Sequence, residues 1–164
     1  PPFWAGLKFF NVYGPNEYHK EGQMSVVAQM APKILADAPV TLFRSHRPDY
    51  EDGGQLRDFV HVDDTVDVMS WLYEHRPASA LYNCGTGQAR SFLDLAKAAH
   101  DALQKPLRVT WVDTPEAIRD KYQYFTESKA DRLRQAGYTK PFTRLEDGVA
   151  GYVRDHLAQE DPYR

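Results

Sequence analysis

Leu7-Lys8-Phe9-Phe10-Asn11-Val12-Tyr13-Gly14-Pro15 is a short, almost wholly apolar run closed by a Gly-Pro turn signal. Residues 7–12 are expected to form a parallel strand covered on both faces, because a half-exposed strand alternates apolar and polar residues instead. Asn11, at the carboxyl end, stands where open α/β sheets bind ligands, and a side-chain amide can both donate and accept there. Asn before Gly-Pro also holds turns, so Asn11 carries both readings.

Outward from that strand the chain alternates elements. Met24 to Ala38 reads as a helix, bent or interrupted at Pro32. Val40 to Phe43 reads as a strand, and residues 44–56 as a charged, Gly- and Pro-rich loop. A short strand is expected over Asp58 to Val62, with Asp63 as N-cap of a helix to Arg76 that places Val66, Met69, Leu72 and Tyr73 on one face. Leu81 to Cys84 is another strand, ending in Gly85-Thr86-Gly87. Ser91 and Asp94 form a capping-box pattern for a helix with Leu95, Ala96 and Ala99 on its apolar face. A strand over Leu107 to Val112, a helix over Ser128 to Ala136 and a last helix capped by Thr143 and Glu146 complete the chain. This alternation argues for an α/β or α+β fold.

Composition narrows the classes. The 164 residues are 42% hydrophobic and 13% aromatic, enough for one domain with a core, or one domain and part of another. The net charge of −3 gives no general attraction to nucleic acid or anionic lipid, so an anionic ligand must meet local cations. The single cysteine, Cys84, cannot pair within the chain, in keeping with a reducing, cytoplasmic compartment. No apolar run approaches the roughly 18 residues of a membrane span, and Pro1-Pro2-Phe3-Trp4 has no signal-peptide character.

Four stretches could carry chemistry. The first holds Asn11. His19-Lys20 follows it in a polar loop, where a Lys serves as acid or base if burial lowers its pKa from about 10.4, and is otherwise a solvated surface charge. In Arg57-Asp58-Phe59-Val60-His61-Val62-Asp63-Asp64, the arginine before a short strand suits bidentate phosphate contact. His61, Asp63 and Asp64 resemble metal ligands in type, but Asp63 is needed as a cap, so no metal site is expected. Tyr122-Gln123-Tyr124-Phe125-Thr126 supplies aromatics that either fill the core or reach a sugar or phosphate with a hydroxyl.

Phe10-Asn11-Val12-Tyr13-Gly14-Pro15, Arg57-Asp58-Phe59-Val60-His61-Val62-Asp63-Asp64 and Asn83-Cys84-Gly85-Thr86-Gly87, in this order, resemble the C-terminal part of the extended short-chain dehydrogenase/reductase family that acts on nucleotide sugars. His19-Lys20, Leu42-Phe43-Arg44-Ser45, Lys121 to Thr126 and Ala136 to Phe142 are similar to its ADP-heptose 6-epimerase branch. The resemblance implies the C-terminal strands of a Rossmann-type parallel sheet, strands 7–12 and 81–84, plus a smaller α/β substrate-binding domain. It implies NADP as cofactor, an ADP-sugar as substrate and inversion at carbon 6 through a transient ketone, in the making of lipopolysaccharide precursors. It also implies a homo-oligomer, a pentamer in that branch.

By the same matching, Lys20 is a catalytic acid/base beside the cofactor and Val12 contacts the cofactor. Asn11, Phe43, Arg44, Ser45, His46 and Tyr122 contact substrate, and Arg57 holds its diphosphate. The branch's further polar contacts fall on Gly22 and Gln29, which depart from its pattern. No Tyr here is followed four residues later by Lys, and no Gly-x-x-Gly-x-x-Gly turn is present. The chain is therefore expected to be the last half of such an enzyme, lacking its N-terminal Rossmann half and inactive alone. Another nucleotide-sugar epimerase or dehydratase, or a non-catalytic nucleotide-sugar-binding module, remains open as an alternative.

Overall fold

A computed structural model describes residues 2–163, which form an α/β arrangement built from pairs of strands. The expected first strand is two. β1 (Ala5–Phe9) runs parallel to β6 (Ala80–Cys84), with Leu7 opposite Tyr82. β2 (Asn11–Tyr13) runs parallel to β5 (Phe59–His61), with Asn11 opposite Phe59. The chain changes partner at Phe10, whose amide still bonds the Cys84 carbonyl at 3.2 Å while its carbonyl accepts the Val12 amide at 2.9 Å. That tight turn around Asn11 breaks the strand.

Among the described residues β1 pairs with β6 alone, and Phe9 at its end is 45% exposed.

β3 (Val40–Phe43) and β8 (Val109–Val112) form a third parallel pair, and β4 (Leu56–Arg57) and β7 (Arg90–Ser91) a short antiparallel one. α1 (Val26–Leu35) starts at Ser25, whose hydroxyl accepts the Ala28 amide at 3.3 Å, and it continues as one helix through Pro32. α3 (Phe92–Ala102) has the expected capping box of Ser91 and Asp94. α6 (Leu145–Tyr152) runs on into a π-turn at Val153–Leu157. These helices close one core around Ile34, Leu42, Leu95, Val149 and Tyr152. A second core joins α2 (Val62–His75), β6 and α5 (Asp131–Gln135) through Val68, Leu72, Tyr82 and Leu133. A four-residue helix, α4 (Glu116–Arg119), lies between β8 and α5 in the chain.

Three local expectations are corrected. The N-cap of α2 is His61, whose Nδ1 accepts the Asp63 amide at 3.3 Å, so the helix begins at Val62. Its buried face is Val68 and Leu72; Val66, Met69 and Tyr73 are exposed, because this helix is apolar on more than one side and the β6 contact selects between overlapping stripes. Thr143 does not cap α6, whose N-cap is Arg144. Its amide and hydroxyl go instead to buried Asp64, at 2.9 and 3.0 Å, while Glu146 pairs with Arg90 at 2.7 Å. Both long-range partners outcompeted the local cap.

Candidate functional site

The site grows from the ends of β2 and β5. Gly14 closes β2 with φ 148°, and a Cβ there would lie 2.4 Å from a Val62 methyl, so only glycine lets the turn pass the first residue of α2. Buried Asp58, between β4 and β5, organises the neighbouring turn. Its Oδ1 accepts the Thr86 amide and hydroxyl at 2.8 and 2.6 Å, and its Oδ2 accepts the Gly87 and Ser128 amides at 2.8 and 2.9 Å. The Asp58 carbonyl receives the Asn11 amide at 2.9 Å. One carboxylate thus joins the Gly-Thr-Gly turn, the Ser128 segment and the strand end that presents Asn11.

After Pro15 the chain enters a 3-10 segment, Tyr18–Gln23, carrying Lys20. The exposed Lys20 side chain borders two adjoining cavities. One, of about 430 Å³, is lined by Val12, Gly14, His19, Lys20, Asp63 and Val66 among others. The other, of about 280 Å³, includes Asn11, Val12, Lys20, Val26 and Phe59. Asn11, Val12 and Lys20 are therefore brought together. A third cavity, of about 300 Å³, shares Val26 and is walled by Phe43, Phe92 and Tyr122.

Arg57 is half-buried, with its guanidinium 5.7 Å from the Phe92 ring centre and 5.5 Å from that of Tyr122. It donates to the Leu56 carbonyl at 2.8 Å and has no carboxylate partner among the described residues. Burial pulls it below its ordinary value and pushes the Tyr122 hydroxyl up. A planar cation stacked between aromatics with its charge uncompensated is suited to receive an anion.

The residues after β3 are organised by Tyr124. Its buried hydroxyl accepts the His46 amide at 2.9 Å, lies 2.9 Å from His46 Nδ1 and 3.3 Å from the Ser45 hydroxyl. Phe43 meets Tyr122 edge-on at 5.9 Å. Arg44 turns outward to Asp113 at 3.4 Å and to Asp52 at 3.9 Å, half-exposed. Of the expected contacts, Phe43 and Tyr122 share a cavity with Gln29, Ser45 and His46 sit on the Tyr124 hub, and Arg44 is engaged by carboxylates.

Sequence reasoning missed Glu17 and Tyr124. A buried carboxylate in a polar loop leaves no local signal, and Tyr124, two residues from Tyr122 and beside the Leu56–Phe125 bridge, is not separated from it by strand alternation. Among the described residues no three His, Cys, Asp or Glu side chains converge as a metal site would require, and no helix is long and apolar enough to cross a membrane.

A parallel α/β frame with convergent groups at its strand ends defines a ligand-binding class of fold. Residues 3–85 match the NAD dependent epimerase/dehydratase family, and the chain belongs to it. It is 49% identical, over 97% of its length, to an ADP-L-glycero-D-manno-heptose-6-epimerase of Nitratidesulfovibrio vulgaris, of which it covers 49%. To the protein of that name in Fusobacterium nucleatum it is 46% identical over 99% of its length, covering 51% of that protein. The chain spans about half the length of the curated relatives it matches.

Among solved structures, the ADP-L-glycero-D-manno-heptose-6-epimerase of Helicobacter pylori superposes with a TM-score of 0.76 at 30% identity, over 93% of this chain and 44% of that one. A Thermus thermophilus UDP-glucose 4-epimerase, in complex with NAD, gives 0.75 at 25% identity, over 96% and 47%.

Proposed function

We propose that this chain is the substrate-binding portion of an ADP-glycero-manno-heptose 6-epimerase, serving lipopolysaccharide precursor synthesis with NADP as cofactor. The observation that carries the reading is the half-buried, uncompensated Arg57 between Phe92 and Tyr122, in a chain 46–49% identical to proteins of that name. A diphosphate brings two charges that such a guanidinium recognises bidentately. The cavity beside it, walled by Phe43, Phe92 and Tyr122, offers apolar surface for the rest of a nucleotide sugar.

The residues present fit one wall of a nicotinamide site and no more. Val12 and Lys20 border the cavity past β2, but Gly85-Thr86-Gly87 is no phosphate cradle, since its Thr86 and Gly87 amides are spent on Asp58. When bound, NADP would supply hydride removal from carbon 6 and its return to the other face. Asn11 would orient the sugar by its amide, Arg57 would hold the diphosphate, and Lys20 would move a proton at the carbon-6 oxygen. Residues 1–164 by themselves are therefore expected neither to hold NADP tightly nor to epimerise.

Two measurements test this. In protein expressed from the complete gene, epimerisation of ADP-heptose followed by NMR should fall about 10²–10⁴-fold in Lys20→Met, the share of a general acid/base. Turnover within a few-fold of wild type would remove Lys20 from the chemistry. Residues 1–164 expressed alone should show no turnover above blank and no micromolar NADP binding by fluorescence; either signal would overturn the reading of this chain as a portion.

A further inference from the structure

The loop that carries Lys20 is held from below by a carboxylate that the reaction itself does not use. Glu17 is only 4% exposed and has no cationic partner among the described residues. Its Oε2 accepts the Ser25 amide at 2.6 Å, and its Oε1 accepts the Ser25 hydroxyl at 2.6 Å and the Tyr152 hydroxyl at 3.0 Å. Ser25 is the N-cap of α1, and Tyr152, 135 residues from Glu17 in the chain, ends α6. The carboxylate thus joins the exit of β2 to two core helices. Residues 18–24 become a loop closed at its base, and within it the Lys20 amide donates back to the Glu17 carbonyl at 3.0 Å.

A second tie acts from the other side. The Gln29 side-chain Nε2 donates to the Met24 carbonyl at 2.7 Å and to the Gly22 carbonyl at 3.4 Å. Gln29 and Gly22, which depart from the pattern of substrate contacts, are here bonded to one another. Tyr18 adds a bond from its hydroxyl to the Pro162 carbonyl at 2.8 Å. A buried carboxylate is costly unless its lone pairs are filled, and Glu17 fills them with neutral donors only. Such a network stays rigid while satisfied and fails together when one member is lost.

We infer that Glu17 is a positioning residue: with Ser25 and Tyr152 it clamps the 18–24 loop and sets where the Lys20 amine stands in the cavity beside Asn11 and Val12. The inference rests on the proposed role of Lys20. Its geometry does not: Glu17 and Lys20 line the same two cavities, and Ser25 lines one of them. In Glu17→Gln the side-chain amide would present N–H groups toward Ser25 donors. A displacement of the amine by about 1 Å is expected to lower kcat up to about 10²-fold with KM little changed.

The test uses protein expressed from its complete gene. Hydrogen exchange read by mass spectrometry should show faster exchange across residues 18–24 in Glu17→Gln, with α3 amides unchanged. Unchanged exchange in that loop overturns the clamp, whatever the kinetics. In epimerisation assays Glu17→Gln should lower kcat, and Tyr152→Phe, which folds more safely, should lower it by a smaller factor.

On a Lys20→Met background, Glu17→Gln should lower turnover no further, since its effect acts through the absent amine. A further drop equal to that in wild type would make Glu17 a general structural support and overturn the inference. If Lys20→Met itself leaves turnover intact, the reading of Lys20 fails while the exchange result still judges the clamp.

Discussion

Asp58→Asn is expected to unfold the base of the site. The carboxylate is fully buried and receives four bonds, three from backbone amides of Thr86, Gly87 and Ser128 at 2.8–2.9 Å and one from the Thr86 hydroxyl at 2.6 Å. The asparagine oxygen can keep the two on one side. Its NH2 group then faces the Gly87 and Ser128 amides, so two charge-assisted bonds are lost and two buried donors are left unmade. At about 1.5–3 kcal/mol for each bond to a charged group, with part recovered by relaxation, the net loss is about 3–4 kcal/mol.

Thr86→Ala is the smaller perturbation: it removes one bond to the carboxylate, spares the three amides that Asp58 accepts, and should cost about 1.5–2 kcal/mol. The assay is the urea midpoint of each variant at neutral pH, with the slope compared to wild type so that a change in midpoint reads as stability. Because the Asp58 carbonyl also receives the Asn11 amide, loosening should spread to the β2 end and be visible in hydrogen exchange of residues 11–13. A loss below about 1 kcal/mol in Asp58→Asn would show that water or rearranged neighbours satisfy those amides, and would refute the hub argument.

Arg57→Ala should weaken ADP-sugar binding by about 1.5–3 kcal/mol in calorimetry while NADP retention stays near wild type; unaltered substrate affinity removes Arg57 from the diphosphate site. Tyr124→Phe deletes the acceptor for the His46 amide and should cost about 1 kcal/mol of stability and loosen residues 44–47, checked by thermal unfolding and by exchange in that segment. Arg90, 2.7 Å away, holds Glu146 below its ordinary value of 4.5. A carboxylate depressed in the folded state stabilises above its unfolded value and loses that contribution as the pH falls through the folded one. The gap in urea midpoint between wild type and Arg90→Ala should therefore narrow as the pH is lowered below about 4.5, and a gap constant down to about pH 3 would refute the pairing.

Local pattern was enough wherever the deciding partner lies within a few residues. The capping box of Ser91 and Asp94, the strand at Val40 and the Gly14-Pro15 turn follow from neighbours in the chain, and each is in place. The ordered motifs around Asn11, Arg57 and Gly85 carried the family, because their residue types and separations survive in one dimension.

Tertiary structure decided what depends on partners far along the chain. Thr143 looked like a cap and became a partner of Asp64, and Glu146 left the box for Arg90, since a buried carboxylate or a nearby guanidinium outbids a local amide. Apolar spacing along α2 could not say which stripe would meet β6, and contact chose Val68 and Leu72 over Val66, Met69 and Tyr73. The break at Phe10, which leaves Asn11 at a strand end, came from two different partner strands, β6 and β5, competing for one run. Glu17 was invisible as a polar loop residue, because its meaning lies in Ser25 and in Tyr152, which only folding brings to its two oxygens.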